Sequence, residues 1–161
     1  MRRLADALVD PIRIPVPADP ETLFEALVDS VGAWRGREVV VHRRAFPPHT
    51  ASGLWLEHDT HDDVVVDQRA AVWHQIVILC HEVWHMHRRP AAPGGPRPAA
   101  ARTDFSLAEE QEAERFGMLM GRRLRAWLEG SADPAPPARP GDAQDLAGRI
   151  GAALGYRGTR R

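Results

Sequence analysis

A chain of 161 residues with a formal net charge of −1 and a pI near 6.7 can build one core-forming domain, and it lacks the concentrated basic surface that broad binding to nucleic-acid phosphates needs. All 21 cationic side chains are arginine, a compositional bias beside abundant Ala and Pro that identifies no partner. One cysteine, Cys80, excludes an internal disulfide framework. The Met1-Arg2-Arg3-Leu4-Ala5-Asp6 start turns acidic before a signal-peptide core develops, and no apolar run approaches the roughly 18–20 residues of a membrane span, so a cytoplasmic protein is expected.

Leu4 and Leu8 predict a short first helix that Pro11 stops, after which Pro15 and Pro17 keep the chain extended. Asp19 is a candidate N-cap, with Pro20 at the first helical position and Glu21 in the first turn. Leu23, Phe24, Leu27, Val28 and Val31 form one apolar face, and Gly36 closes the helix. From Arg37 to Asp67 the period changes. Val39-Val40-Val41, Leu54-Trp55-Leu56 and Val64-Val65-Val66 are β-type runs between turn-formers, and they predict a small, largely antiparallel three-stranded sheet. The stretch from Ala70 to His87 has neither Gly nor Pro and repeats Val72, Ile76, Leu79 and Val83 at helical spacing, so a long helix is expected at the centre of the domain. Residues 90 to 104, with four Pro and two Gly, read as a loop. Ser106 to Glu109 is a capping box that starts another helix. Its apolar stripe of Leu107, Ala113, Phe116, Gly117, Met120, Leu124 and Trp127 runs down to Gly130. A Pro-rich linker over residues 131–141, an amphipathic helix from Asp142 to about Leu154 and a basic tail with Arg157, Arg160 and Arg161 complete the chain. The whole predicts an α+β domain over residues 1–130 and an appendage over 131–161.

Inside the predicted central helix, His81-Glu82-Val83-Trp84-His85 reads as HExxH. Residues i and i+4 share one helix face, so both imidazoles can reach one tetrahedral ion at about 2.0–2.1 Å. Glu82 lies about 100° round the helix axis, where it can hydrogen-bond a water at the site and accept its proton. The bland alternative is a chance grouping on a solvated face. Val83 and Trp84 argue against it, because apolar neighbours would bury the helix, and two unpartnered histidines beside a carboxylate cost several kcal/mol when buried.

A catalytic zinc needs a third protein ligand and an open position. The helix starting at Ser106 offers Glu109, Glu110, Glu112 and Glu114. Glu110 shares a face with Ala113, Gly117 and Leu124, where small residues let two helices approach, and it is the preferred ligand; Glu109 and Glu112 are the alternatives. Glu114 could orient a metal-bound histidine. Of the remaining candidates, His74 lies two turns before His81 and reads as a structural histidine, and His87 faces away. His58, Asp59, His61, Asp62 and Asp63 read as a polar hairpin loop, and Cys80 as a small buried apolar residue. Tyr156 could reach the site only if the C-terminal tail folded back.

The run Gly53-Leu54-Trp55 through Val64-Val65-Val66, then HExxH at His81–His85, then Glu110-Gln111-Glu112-Ala113-Glu114-Arg115-Phe116-Gly117 resembles the ImmA/IrrE metallo-endopeptidases, a minimal gluzincin group. The resemblance covers roughly residues 4 to 128. It implies a zincin-like fold, Zn2+ held by His81, His85 and Glu110, and Glu82 as general base. It also implies a protein or peptide substrate, often a helix-turn-helix repressor encoded nearby, in a regulatory or toxin-antitoxin-type setting. Trp84 stands where the family usually has glycine, and its bulk would reshape the cleft; Glu114 stands where Asn or Asp is common. Two rival readings remain beside the peptidase: a non-proteolytic, metal-containing regulatory module, and a hydrolase acting on a small molecule in a closed pocket.

Overall fold

The computed structural model describes residues 1–47, 50–89, 100–101 and 105–129. The predicted linker and last helix over 131–161, Tyr156, and most of the 90–104 loop lie outside the described residues. The elements in chain order are α1 (Arg2–Val9), α2 (Pro20–Arg35), β1 (Glu38–Arg44), β2 (Gly53–Glu57), β3 (His61–Asp67), α3 (Val72–Arg88), β4 (Ala100–Ala101) and α4 (Leu107–Leu128). The architecture is α+β. No helix among the described residues is long and apolar enough to cross a membrane.

Local chemistry explains the helix boundaries. The Asp19 carboxylate accepts hydrogen bonds from the Glu21 and Thr22 amides, both at 3.1 Å, with Pro20 at the first helical position. Gly36 ends α2 at φ 72°, a left-handed conformation that carries little penalty only without a Cβ. At α4 the capping box forms in full: Ser106 Oγ accepts from the Glu109 amide, and the Glu109 carboxylate accepts from the Ser106 amide at 2.8 Å. Helix α3 has no side-chain cap at Ala71. Gln75, buried in its first turn, instead donates to the Asp67 and Ala70 carbonyls and accepts from Arg43, tying α3 to the ends of β3 and β1.

The sheet order is β1-β3-β2-β4. β2 pairs antiparallel with β3 and with the two-residue β4, but β1 pairs parallel with β3, from Glu38↔His61 through Arg44↔Asp67. The sheet is therefore mixed, and the largely antiparallel expectation fails at β1. After β1 the chain passes the end of β3, where the Gln68 amide donates to the Arg44 carbonyl and the Asp67 amide to that of Ser52, and enters β2 on the far side. β3 then returns through the gap in the direction of β1. Val64-Val65-Val66 suits a central strand, but an apolar run carries no information about the direction of its neighbour.

The three-residue loop 58–60 closes the β2–β3 hairpin. His61, Asp62 and Asp63, expected in that loop, instead begin β3, where alternation separates them. Asp62, Val64 and Val66 point inward and are buried, beside Trp55 and Val39. These side chains and those of α2 and α3 form the core with Leu23, Leu27, Ile76, Leu79, Val83 and, from α4, Phe116, Met120 and Leu124.

Candidate metal centre

Helices α3 and α4 pack closely because α4 presents small residues to α3. A Cβ placed on Gly117 would lie 2.9 Å from the Val77 carbonyl oxygen, and Ala113, one turn before it, is fully buried. Glu110 sits one turn earlier still on the same face, which brings its carboxylate over the HExxH turn of α3.

His81, His85 and Glu110 converge. The two Nε2 atoms are 3.1 Å apart, His81 Nε2 is 3.3 Å from Glu110 Oε2, and His85 Nε2 is 3.4 Å from Glu110 Oε1. Tetrahedral ligands at about 2.0–2.1 Å from a shared ion are separated by about 3.3 Å, the edge of that tetrahedron. The two nitrogens and the carboxylate thus lie near the spacing, and offer the N, N, O chemistry, that a divalent cation takes at such a site. The two alternatives to Glu110 are otherwise engaged: Glu109 closes the capping box, and Glu112 faces Arg88 at 3.7 Å.

The protonation chemistry follows from burial and crowding. Burial, then the neighbouring His81, pulls His85 down to about 4, so it stands neutral near pH 7. Burial also pulls on His81, but the Glu110 hydrogen bond and the charges of Glu82, Glu110 and Glu114 outweigh it and raise the imidazole above its ordinary value. Glu110 is pushed up by burial and pulled further down by His81 and His85, so it remains ionised. Glu114, exposed on α4, contributes to this site through its charge.

Glu82 is not part of the converging triangle. Its carboxylate lies under β2, where burial pushes it up to about 7, with His81 partly opposing and Glu110 adding to the rise. A group poised there accepts and returns protons near neutral pH.

Two residues that the sequence patterns did not flag shape the site. Gly53 makes room for Glu82: a Cβ at that position would lie 2.5 Å from Glu82 Oε1 and 2.6 Å from Ile78 Cγ2. Phe105, just before the α4 cap, stacks on His85 with ring centroids 3.6 Å apart, under the Arg89 guanidinium. His85 Nδ1 is buried with no hydrogen-bond partner among the described residues, so Phe105 holds this ring where a carboxylate or carbonyl more often would. An aromatic residue next to a helix cap was the one available signal for Phe105. Gly53 had none, because a glycine in a turn run reads as a turn.

The other candidates lie elsewhere. Trp84 does not enter the cleft: it is 5% exposed and packs against Phe116 of α4, with ring centroids 5.2 Å apart, which corrects the expectation that its bulk reshapes the site. His74 stacks on Trp73, His87 is exposed beside Trp84, and Cys80 is fully buried with its thiol pushed up by burial. The chain matches no known family model, no curated protein and no solved structure.

Proposed function

We propose that the protein is a zinc-dependent peptidase of the ImmA/IrrE type, with a zincin-like fold, acting on a protein or peptide substrate. The observation that carries this reading is the convergence of His81 Nε2 and His85 Nε2, 3.1 Å apart, on the two oxygens of one carboxylate, Glu110 Oε2 at 3.3 Å from the first and Oε1 at 3.4 Å from the second. There, His81, His85 and Glu110 would hold the ion. Bound zinc supplies Lewis acidity, which makes water nucleophilic near neutral pH and polarises a carbonyl.

The chain's own residues supply the rest. Glu82 accepts the proton of the attacking water and returns it to the leaving amine. The missing side chain at Gly53 leaves the space that the Glu82 carboxylate occupies. Along the side of β2 away from β3, β4 pairs only with Leu56 and Glu57, so Gly53–Trp55 is without a strand partner there among the described residues. That edge borders the Glu82 carboxylate and suits an extended substrate added as a strand. β3, an interior strand, is excluded from that role.

Elemental analysis paired with peptide hydrolysis tests the proposal. His85→Ala is expected to remove one equivalent of zinc and all hydrolysis. Chelation of the wild type is expected to lower its stability by about 4 kcal/mol where free zinc had stood near a thousand times the dissociation constant, read as a fall in melting temperature. Unchanged zinc content in His85→Ala would overturn the proposal. Gly53→Ala should keep the zinc and lower kcat by about 10²-fold, because the new methyl displaces the Glu82 carboxylate.

A further inference from the structure

Asp63 lies on the sheet face opposite Asp62 and the core, and three imidazoles converge on it. His58 Nε2 is 2.9 Å from Asp63 Oδ2, His42 Nε2 is 3.0 Å from Oδ1, and His61 Nε2 is 3.7 Å from Oδ1. The elements make this inevitable once β1 runs parallel to β3. His42 pairs in register with Val65, so it shares the outer face with Asp63, and the short hairpin loop sets His58 beside His61. The His58 and His61 rings stack nearly parallel, 4.4 Å apart at 8°. Donor atoms of His58, His61 and Asp63 all lie within 4.8 Å of one another.

Surface charge pairing alone explains this poorly. One carboxylate brings a single negative charge to three imidazoles, and stacked imidazolium rings repel; two or three neutral imidazoles with one carboxylate form instead a donor set for a divalent cation. Preorganisation points the same way. His61 Nδ1 is engaged by Thr60 Oγ1 at 3.1 Å, which leaves Nε2 free for an ion. Arg37 donates to the carbonyls of both His58 and His61, so the loop carrying the two rings is tied to the end of α2. His42 binds the second oxygen of Asp63 and orients the carboxylate.

We propose that His58, His61 and Asp63, with His42 orienting the carboxylate, form a second binding site for a borderline divalent cation of the Zn2+, Co2+ or Ni2+ class, on the outer face of the sheet. The site shares no residue with the His81 centre and does not depend on peptidase activity. Its ion ties the hairpin loop to β3, and the half-exposed rings leave room for further ligands from water or a partner chain.

Titration of the chelator-stripped full chain with Co2+, followed by visible absorption and equilibrium dialysis, tests this. The wild type is expected to bind two ions, the double variant His58→Ala/His61→Ala one, His81→Ala one, and the combined variant none. Asp63→Asn, nearly isosteric on a half-exposed face, is expected to weaken the outer site by at least about tenfold while leaving the fold intact by circular dichroism. The proposal is overturned if the double histidine variant binds as many ions as the wild type, or if Asp63→Asn leaves every affinity unchanged. A wild type with one ion, lost in the double histidine variant and kept in His81→Ala, sustains the outer site and removes the other.

Discussion

Glu82→Gln is expected to keep its zinc and to lose about 10²–10⁴-fold in peptide hydrolysis. The carboxamide has the size of the carboxylate, so it still fits the space that Gly53 leaves beneath β2 and leaves the His81, His85 and Glu110 donors where they are. It cannot take up a proton near neutral pH, and that is the property burial tunes in Glu82 by pushing it up to about 7. Elemental analysis and cleavage of a mixed peptide library, run on the same preparation, separate the two functions of the site. Loss of zinc would mean that Glu82 supports the ligands; hydrolysis within tenfold of the wild type would remove Glu82 as the base. If a partner's regulation survives in cells carrying Glu82→Gln, the non-proteolytic regulatory module is the correct reading of the chain.

Asp62→Ala is expected to destabilise the fold by about 3–5 kcal/mol. Asp62 is fully buried, and its carboxylate meets the Arg35 guanidinium at 2.8 Å, Arg37 at 3.3 Å and the Trp55 indole N–H at 2.9 Å. Arg35 is nearly as buried, lies over the Trp55 ring, and reaches the Met86 carbonyl and Glu57. Alanine would leave one buried guanidinium with Glu57 as its remaining anion and an indole donor without its acceptor, and the desolvation of those groups would no longer be offset. The cluster joins the end of α2 to β2, β3 and the last turn of α3, so its loss also loosens the helix that carries His81 and His85. Thermal unfolding reads the effect at roughly 2–4 °C per kcal/mol for a chain of this size. A loss below about 1 kcal/mol would show that water reaches and screens this pair.

Asp62 and Asp63 also mark where sequence reasoning stops. Adjacent aspartates after a β-type run and before another look like turn residues, and the chemistry of either is invisible until the strand is known to include them. One then faces the core and holds two arginines, while the other faces outward among three histidines. Trp84 gives the same lesson in reverse: its bulk beside His85 reads as an obstruction, and packing against Phe116 turns it into core.

The local elements were legible because each is written in residues a few positions apart. The Asp19-Pro20 start and Gly36 stop of α2, the Ser106–Glu109 capping box and the i, i+4 spacing of His81 and His85 all act within one or two helical turns, where backbone geometry alone sets distances. That Glu110, and not its neighbours, would face His81 and His85 was half legible, from the small residues on its face. What no local pattern contained was decided by packing across long separations: the parallel pairing of β1 with β3, the pocket Gly53 leaves for Glu82, the ring of Phe105 on His85, and His42 beside Asp63. These depend on which surfaces bury one another, and burial is a property of the assembled core that the order of residues along the chain expresses only through the fold.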